Sequence, residues 1–125
     1  MNEVILYEGV RASGKTHNLV KMAKRLKEEG CNIVVVAPTM NIAGAFCEQA
    51  GLPRECTMNN VKSLKGLNNV DILVEQWWDL NEDIRKELMI LVRRPDINVI
   101  AVSDPPRTNI VIKNISAFPR DWGFE

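Results

Sequence analysis

The chain has 125 residues, 46% hydrophobic and 26% charged, which suits one ordinary globular domain and leaves no room for two. Its 16 acidic side chains balance 16 basic ones, so no bulk charge announces a nucleic-acid partner, and its apolar runs are too short to span a membrane. Three cysteines at 31, 47 and 56 form no CxxC pair and His17 stands alone, which excludes disulfide and zinc frameworks; with no charged-then-apolar leader, this points to reduced thiols in the cytoplasm.

Val4 to Tyr7 has strand character and runs directly into Gly9, Val10, Arg11, Ala12, Ser13, Gly14, Lys15 and Thr16. That segment spells G-x-x-x-x-G-K-T. A helix follows it, marked by Leu19, Val20, Ala23 and Leu26 at helical spacing and by Gly30 where a C-terminal glycine belongs. Strand, glycine-rich loop and helix in this order form a phosphate-binding loop. The glycines let backbone amides close around phosphate, and the helix adds unpaired N–H groups and the positive end of its dipole. Lys15 reaches the β- and γ-phosphates in such loops, and the Thr16 hydroxyl ligates magnesium. The expected ligands are therefore a nucleoside triphosphate and Mg2+, held by Gly9, Arg11, Ala12, Ser13, Gly14, Lys15 and Thr16. On the same helix Lys21, Lys24, Arg25 and Lys27 suggest a basic face, whose ordinary reading is a solvated surface.

Ile33 to Ala37 is a near-continuous apolar run of the kind that a strand buried on both faces requires. A shorter helix near Asn41 to Ala50 ends at Gly51 and Pro53. Ile72 to Val74 is the next strand. A third helix starts with Asn81 as N-cap and Glu82 and Asp83 in its first turn, carries Arg93 and Arg94 in its last turn, and stops at Pro95. Val99 to Val102 and Ile110 to Ile112 complete a set of five strands. Alternating strands and helices predict an α/β domain of three layers, a mostly parallel five-stranded sheet with helices on both faces.

P-loop folds place a second acidic site at the tip of another strand, where a carboxylate holds the magnesium shell. Here that strand is Val70 to Gln76. Glu75 ends its apolar run and is the expected metal-side carboxylate, paired with Thr16, while Asp71 lies at the far end as a surface or turn residue. A whole strand and helix separate the loop from this strand, and a further strand ends in Ser103 and Asp104. That is the RecA-like order, in which the Ser103 strand runs between the other two, and Ser103 and Asp104 are either γ-phosphate sensors or simply the turn before Pro105 and Pro106.

Taken together, these segments resemble the ATPase core of the large terminase subunit, the DNA-packaging motor of tailed phages. The likeness rests on residues 9 to 16, on Val34 to Thr39, on Ser63 to Gly66 leading into Val70 to Gln76, and on Val99 to Pro106. It implies an arginine finger in cis at Arg11, a coupling role for the Ser103 segment, and a magnesium-dependent ATPase, with ATP as its nucleotide, working in a host cytoplasm. The family's acidic motif ends in Asp-Glu, whereas the two positions here are Glu75 and Gln76. An amide at the catalytic position cannot take a proton, which implies slow or absent hydrolysis. The chain also begins a few residues before the first strand and ends near the core, so the expectation is a minimal core without an upstream adenine contact or a nuclease domain.

Other residues leave alternatives open. One of Trp77 and Trp78 faces the core, and the other either packs or offers a stacking platform or partner hot spot. Arg107 is a solvated loop arginine or a finger for a neighbouring subunit. Phe118, Trp122 and Phe124 dock on the core or serve an assembly partner. Three functions follow: an ATPase or nucleotide switch, a binding module that holds nucleotide and grips a protein, a second copy or DNA, and a small nucleoside kinase. Zero net charge argues against tight solitary DNA binding, and the kinase reading lacks the cysteine pairs and acceptor segment of thymidine kinases.

Overall fold

The computed structural model describes residues 3–9 and 14–105, with the backbone alone of residues 116–117. The β-branched apolar runs form strands: β1 (Ile5–Glu8), β2 (Ile33–Val36), β3 (Val70–Val74) and β4 (Ile97–Ser103), with a two-residue β5 (Ser116–Ala117). Every pairing is parallel and the order across the sheet is β2-β3-β4-β1-β5. The body of the sheet is thus four strands of ordinary length rather than the expected five. The anticipated strand at Ile110 to Ile112 lies outside the described residues.

Four helices cover the sheet: α1 (Lys15–Glu28), α2 (Met40–Ala50), α3 (Val61–Lys65) and α4 (Glu82–Leu91). Alternation along each strand sorts the core into two. Val34, Val36, Ile72, Val74, Val99 and Ala101 pack with Leu64, Ile84 and Leu88 of α3 and α4. Ile33, Val35, Leu73 and Val102 pack with Leu19, Ala23, Phe46 and Cys47 of α1 and α2. The layers are therefore helix, sheet, helix, and both faces of the sheet are dry.

The helix ends follow from local chemistry. Thr39 caps α2 by accepting from Ile42 N at 3.2 Å, and Gly51 closes it in the left-handed region at φ 71°. Asn81 caps α4 as its sequence suggests, accepting from Asp83 N at 2.8 Å. The far end of α4 differs from expectation. The helix stops at Leu91, so Arg93 and Arg94 lie in the turn beyond it. Arg94 folds back to donate to Leu67 O at 2.8 Å and pairs with Asp96 at 2.9 Å, which ties the turn to the end of α3. The short helix α3 was not anticipated, although Asn60 accepting from Ser63 N at 2.7 Å is an N-cap that the sequence carried.

Leu73 is fully buried at the centre of the face that α1 and α2 cover. Leu73→Ala should therefore lower unfolding stability by about 3 kcal/mol, read from urea denaturation; a loss under about 1 kcal/mol would mean that this layer packs loosely.

Candidate functional site

Because all the strands run the same way, their C-terminal ends share one edge, and that edge gathers the polar residues. Glu8 pairs with Ser103, and Val74 with Ala101, so the tips of β1, β3 and β4 lie side by side. Gly9 N donates to Ser103 O at 3.1 Å, extending the β1 to β4 ladder into the start of the loop.

At the other end of the loop Gly14 is the N-cap of α1, with φ 82° and ψ 9°. A Cβ at Gly14 would meet nothing within 4 Å, so the left-handed backbone rather than crowding demands glycine here. Among the described residues no side chain caps this helix, and its first turn holds no acidic residue to complement the positive end of the dipole. Val10, Arg11, Ala12 and Ser13 lie outside the described residues, as do Arg107, Phe118, Trp122 and Phe124.

Lys15 and Thr16 project from the first turn of α1 toward the tips of β3 and β4. Thr16 Oγ1 donates to Glu75 Oε2 across 3.4 Å, joining residues 59 positions apart. Lys15, which is buried, places its Nζ 2.6 Å from Asp104 Oδ1. Glu75 follows Leu73 on the α1 face of the sheet, and its backbone N donates to Val36 O at 2.9 Å. Only 5% of Glu75 is exposed, and its Oε1 is buried with no hydrogen-bond partner among the described residues.

Burial pushes the Glu75 carboxyl above its ordinary range. The Thr16 hydroxyl and the Lys15 ammonium pull it down, and the Asp104 charge adds to the rise. A buried carboxylate with one orphaned oxygen beside a threonine hydroxyl is the oxygen-donor set that Mg2+ accepts, since that ion takes one or two protein oxygens and fills its shell with water and phosphate. Among the described residues no group of three or more His, Cys, Asp and Glu is arranged to hold a metal by itself.

Gln76 occupies the position next to Glu75 in a left-handed conformation, φ 54° and ψ 59°, which a residue with a side chain adopts at a cost of about 1 kcal/mol. Its Oε1 accepts from Asp104 N at 3.3 Å. The side chain thus spans from the tip of β3 to the tip of β4.

Ser103 does not take the sensor position expected for it. Alternation puts its side chain on the face of Val99 and Ala101, away from α1, where its buried Oγ accepts from Trp78 N at 3.2 Å. Asp104, one residue on, is the polar group of β4 that meets Lys15. Of the tryptophans, Trp77 is the core residue, and Trp78 stands edge-on to it at 6.4 Å and 80°. Trp78 Nε1 donates to Glu8 Oε1 at 3.1 Å, and the Arg85 guanidinium lies over its ring at 5.8 Å. Arg85 therefore takes one face of the ring that a stacking platform would need.

Sequence reasoning missed the Lys15 to Asp104 pair and the Glu8 to Trp78 link. The sheet order contained the first, because it places the tip of β4 beside the loop. No pattern in the sequence signals the second. No family model matches the chain, and no curated protein matches it significantly.

The raised Glu75 pKa makes a prediction with a definite sign. A carboxyl that titrates higher in the folded than in the unfolded chain binds more protons when folded, so stability falls as pH rises through that window. Glu75→Gln should raise the urea midpoint at about pH 8, and the advantage should vanish near about pH 3, below the unfolded-state pKa, where both states are protonated. A variant less stable than the natural protein at the higher pH would show that Lys15 and Thr16 outweigh the burial cost.

Proposed function

We propose that the protein binds a magnesium nucleoside triphosphate, ATP by resemblance, at the edge where β1, β3 and β4 end, and that it acts as an ATPase of RecA-like, terminase-like type. One observation carries the reading: Thr16, immediately after the G-x-x-x-x-G-K segment, meets the buried Glu75 at 3.4 Å with a carboxylate oxygen left over. A glycine turn that matched the motif by accident would have no reason to face a desolvated carboxylate from another strand. The β2-β3-β4-β1 order supports the same reading, because it sets the strand ending in Ser103 between the loop strand and the Glu75 strand.

In this reading the Lys15 ammonium binds the β- and γ-phosphates, and the amides at the start of α1 accept their charge. Thr16 Oγ1 and Glu75 would hold magnesium, which supplies neutralisation of the phosphate oxygens when bound. Glu75 must be ionised for this, and the Lys15 charge beside it favours that form. Burial under the tips of the strands keeps water away from Lys15 and Glu75 and strengthens their electrostatics. Arg11, which lies in the loop, is the residue proposed to stabilise charge developing on the γ-phosphate.

A second reading, a nucleotide-binding module that turns over little and acts by gripping a partner, draws on Gln76. Its amide cannot act as a base, and its oxygen is engaged by Asp104 N. Calorimetry with Mg-ATP and phosphate release, run together on the natural chain and on Lys15→Ala, tests both. Binding that weakens by about tenfold or more in the variant is expected, since a charge-assisted phosphate contact is lost. Equal binding by the two proteins would end the nucleotide reading, whereas binding without phosphate release would select the module over the ATPase.

A further inference from the structure

The contact between Lys15 and Asp104 is not part of the nucleotide reading, and it sets that reading a problem. The lysine that must meet phosphate has its Nζ 2.6 Å from a carboxylate oxygen. Carboxylate and phosphate are both oxyanions that accept from an ammonium at this distance, so Asp104 Oδ1 stands where a phosphate oxygen would. The two side chains differ in environment: that of Lys15 is 9% exposed and that of Asp104 is 41% exposed. The lysine is fixed by its surroundings, and the aspartate can turn to water.

The backbone beneath Asp104 is pinned on both sides. Ser103 O accepts from Gly9 N at 3.1 Å, and Asp104 N donates to Gln76 Oε1 at 3.3 Å. Pro105 follows, which restricts Asp104 to extended backbone. A rotation about the Asp104 side-chain bonds alone therefore breaks its contact with Lys15, with the sheet edge unchanged.

We infer that Asp104 is a built-in occupant of the phosphate position, whose carboxylate competes with the β- or γ-phosphate of a nucleotide for Lys15 and thereby sets the affinity and the phosphate-number selectivity of the site. The inference rests on the nucleotide-binding reading of the loop. It makes the charge at position 104 unfavourable to triphosphate and diphosphate, and indifferent to a monophosphate that does not reach Lys15.

Calorimetry with ATP, ADP and AMP in magnesium buffer, on the natural chain, Asp104→Asn, Asp104→Glu and Lys15→Ala, tests it. Asn keeps the backbone N–H that Gln76 accepts and loses only the charge. Asp104→Asn should tighten ATP and ADP by about three- to fivefold, the upper part of the range for a partly exposed ion pair, and leave AMP unchanged. Asp104→Glu should stay within about twofold of the natural chain, because the competing charge is kept. Unchanged or weaker ATP binding in Asp104→Asn, with Lys15→Ala still impaired, would overturn the inference and leave the nucleotide reading standing. If ATP bound the natural chain and Lys15→Ala alike, or neither, the reading of the loop would fail and the inference with it.

Discussion

The position of β4 between β1 and β3 decides where everything else can be. A parallel neighbour on each side means that the loop after β1 and the acidic tip of β3 stand one strand apart, bridged by whatever ends β4. The same order fixes the faces. The passage from β1 to β2 runs one way across the sheet and the passages from β2 back to β4 run the other way. Right-handed crossovers then put α1 on one face and α3 and α4 on the opposite one. Only α2 departs, since it packs beside α1. The chain must therefore cross the sheet edge after α2, which it does at residues 54–58, where Met58 N donates to Val35 O at 3.0 Å. The crossing itself covers the middle of the outer edge of β2, at Val35.

The dry faces explain why the polar edge is chemically unusual. A carboxylate at the end of a strand buried on both sides has helix α1 on one side and its neighbours' tips beside it, and water is kept out. Glu75 is thus destabilising as a folded-state charge, which Thr16 and Lys15 offset among the described residues. Asp96, a more exposed acid, differs in that two donors converge on one of its oxygens, Oδ2 accepting from Asn69 N and from Arg94 at 2.9 Å each. The contrast between the two acids separates a residue that serves the fold from one that the fold has to carry.

Much of this was legible before any coordinates, because periodicity and motif spacing are local. The first helix, its glycine, and the places of Thr16 and Glu75 at the ends of α1 and β3 are each visible in a single segment, and strand order followed from counting the segments between loop and acid. What escaped was non-local. That Asp104 rather than Ser103 meets Lys15 depends on the parity of β4, which is set by which residues of Ile97 to Ser103 face α4, and a run apolar at nearly every position conceals its own phase. The end of α4 was misjudged by three residues because Arg93 and Arg94 look like favourable last-turn cations. Yet Arg94 gains more by bonding Leu67 O and Asp96 than by complementing a dipole worth less than about 1 kcal/mol at the surface. α3 is short enough that its Asn60 cap is its main signal.

Gln76 is best understood through charge. Around Lys15 the described residues already place two carboxylates, Glu75 and Asp104, of which one is 5% exposed. A glutamate at position 76 would also accept from Asp104 N, so geometry alone does not favour the amide. It would add a third negative charge beside a single ammonium, in a region where burial already disfavours the second, and the rise in the Glu75 pKa would grow. The amide keeps the span from β3 to β4 and holds a non-glycine backbone in a left-handed turn without that cost. The strain at the turn is offset by the bond it makes possible, and the edge is left with a charge balance that incoming phosphate and metal would have to complete.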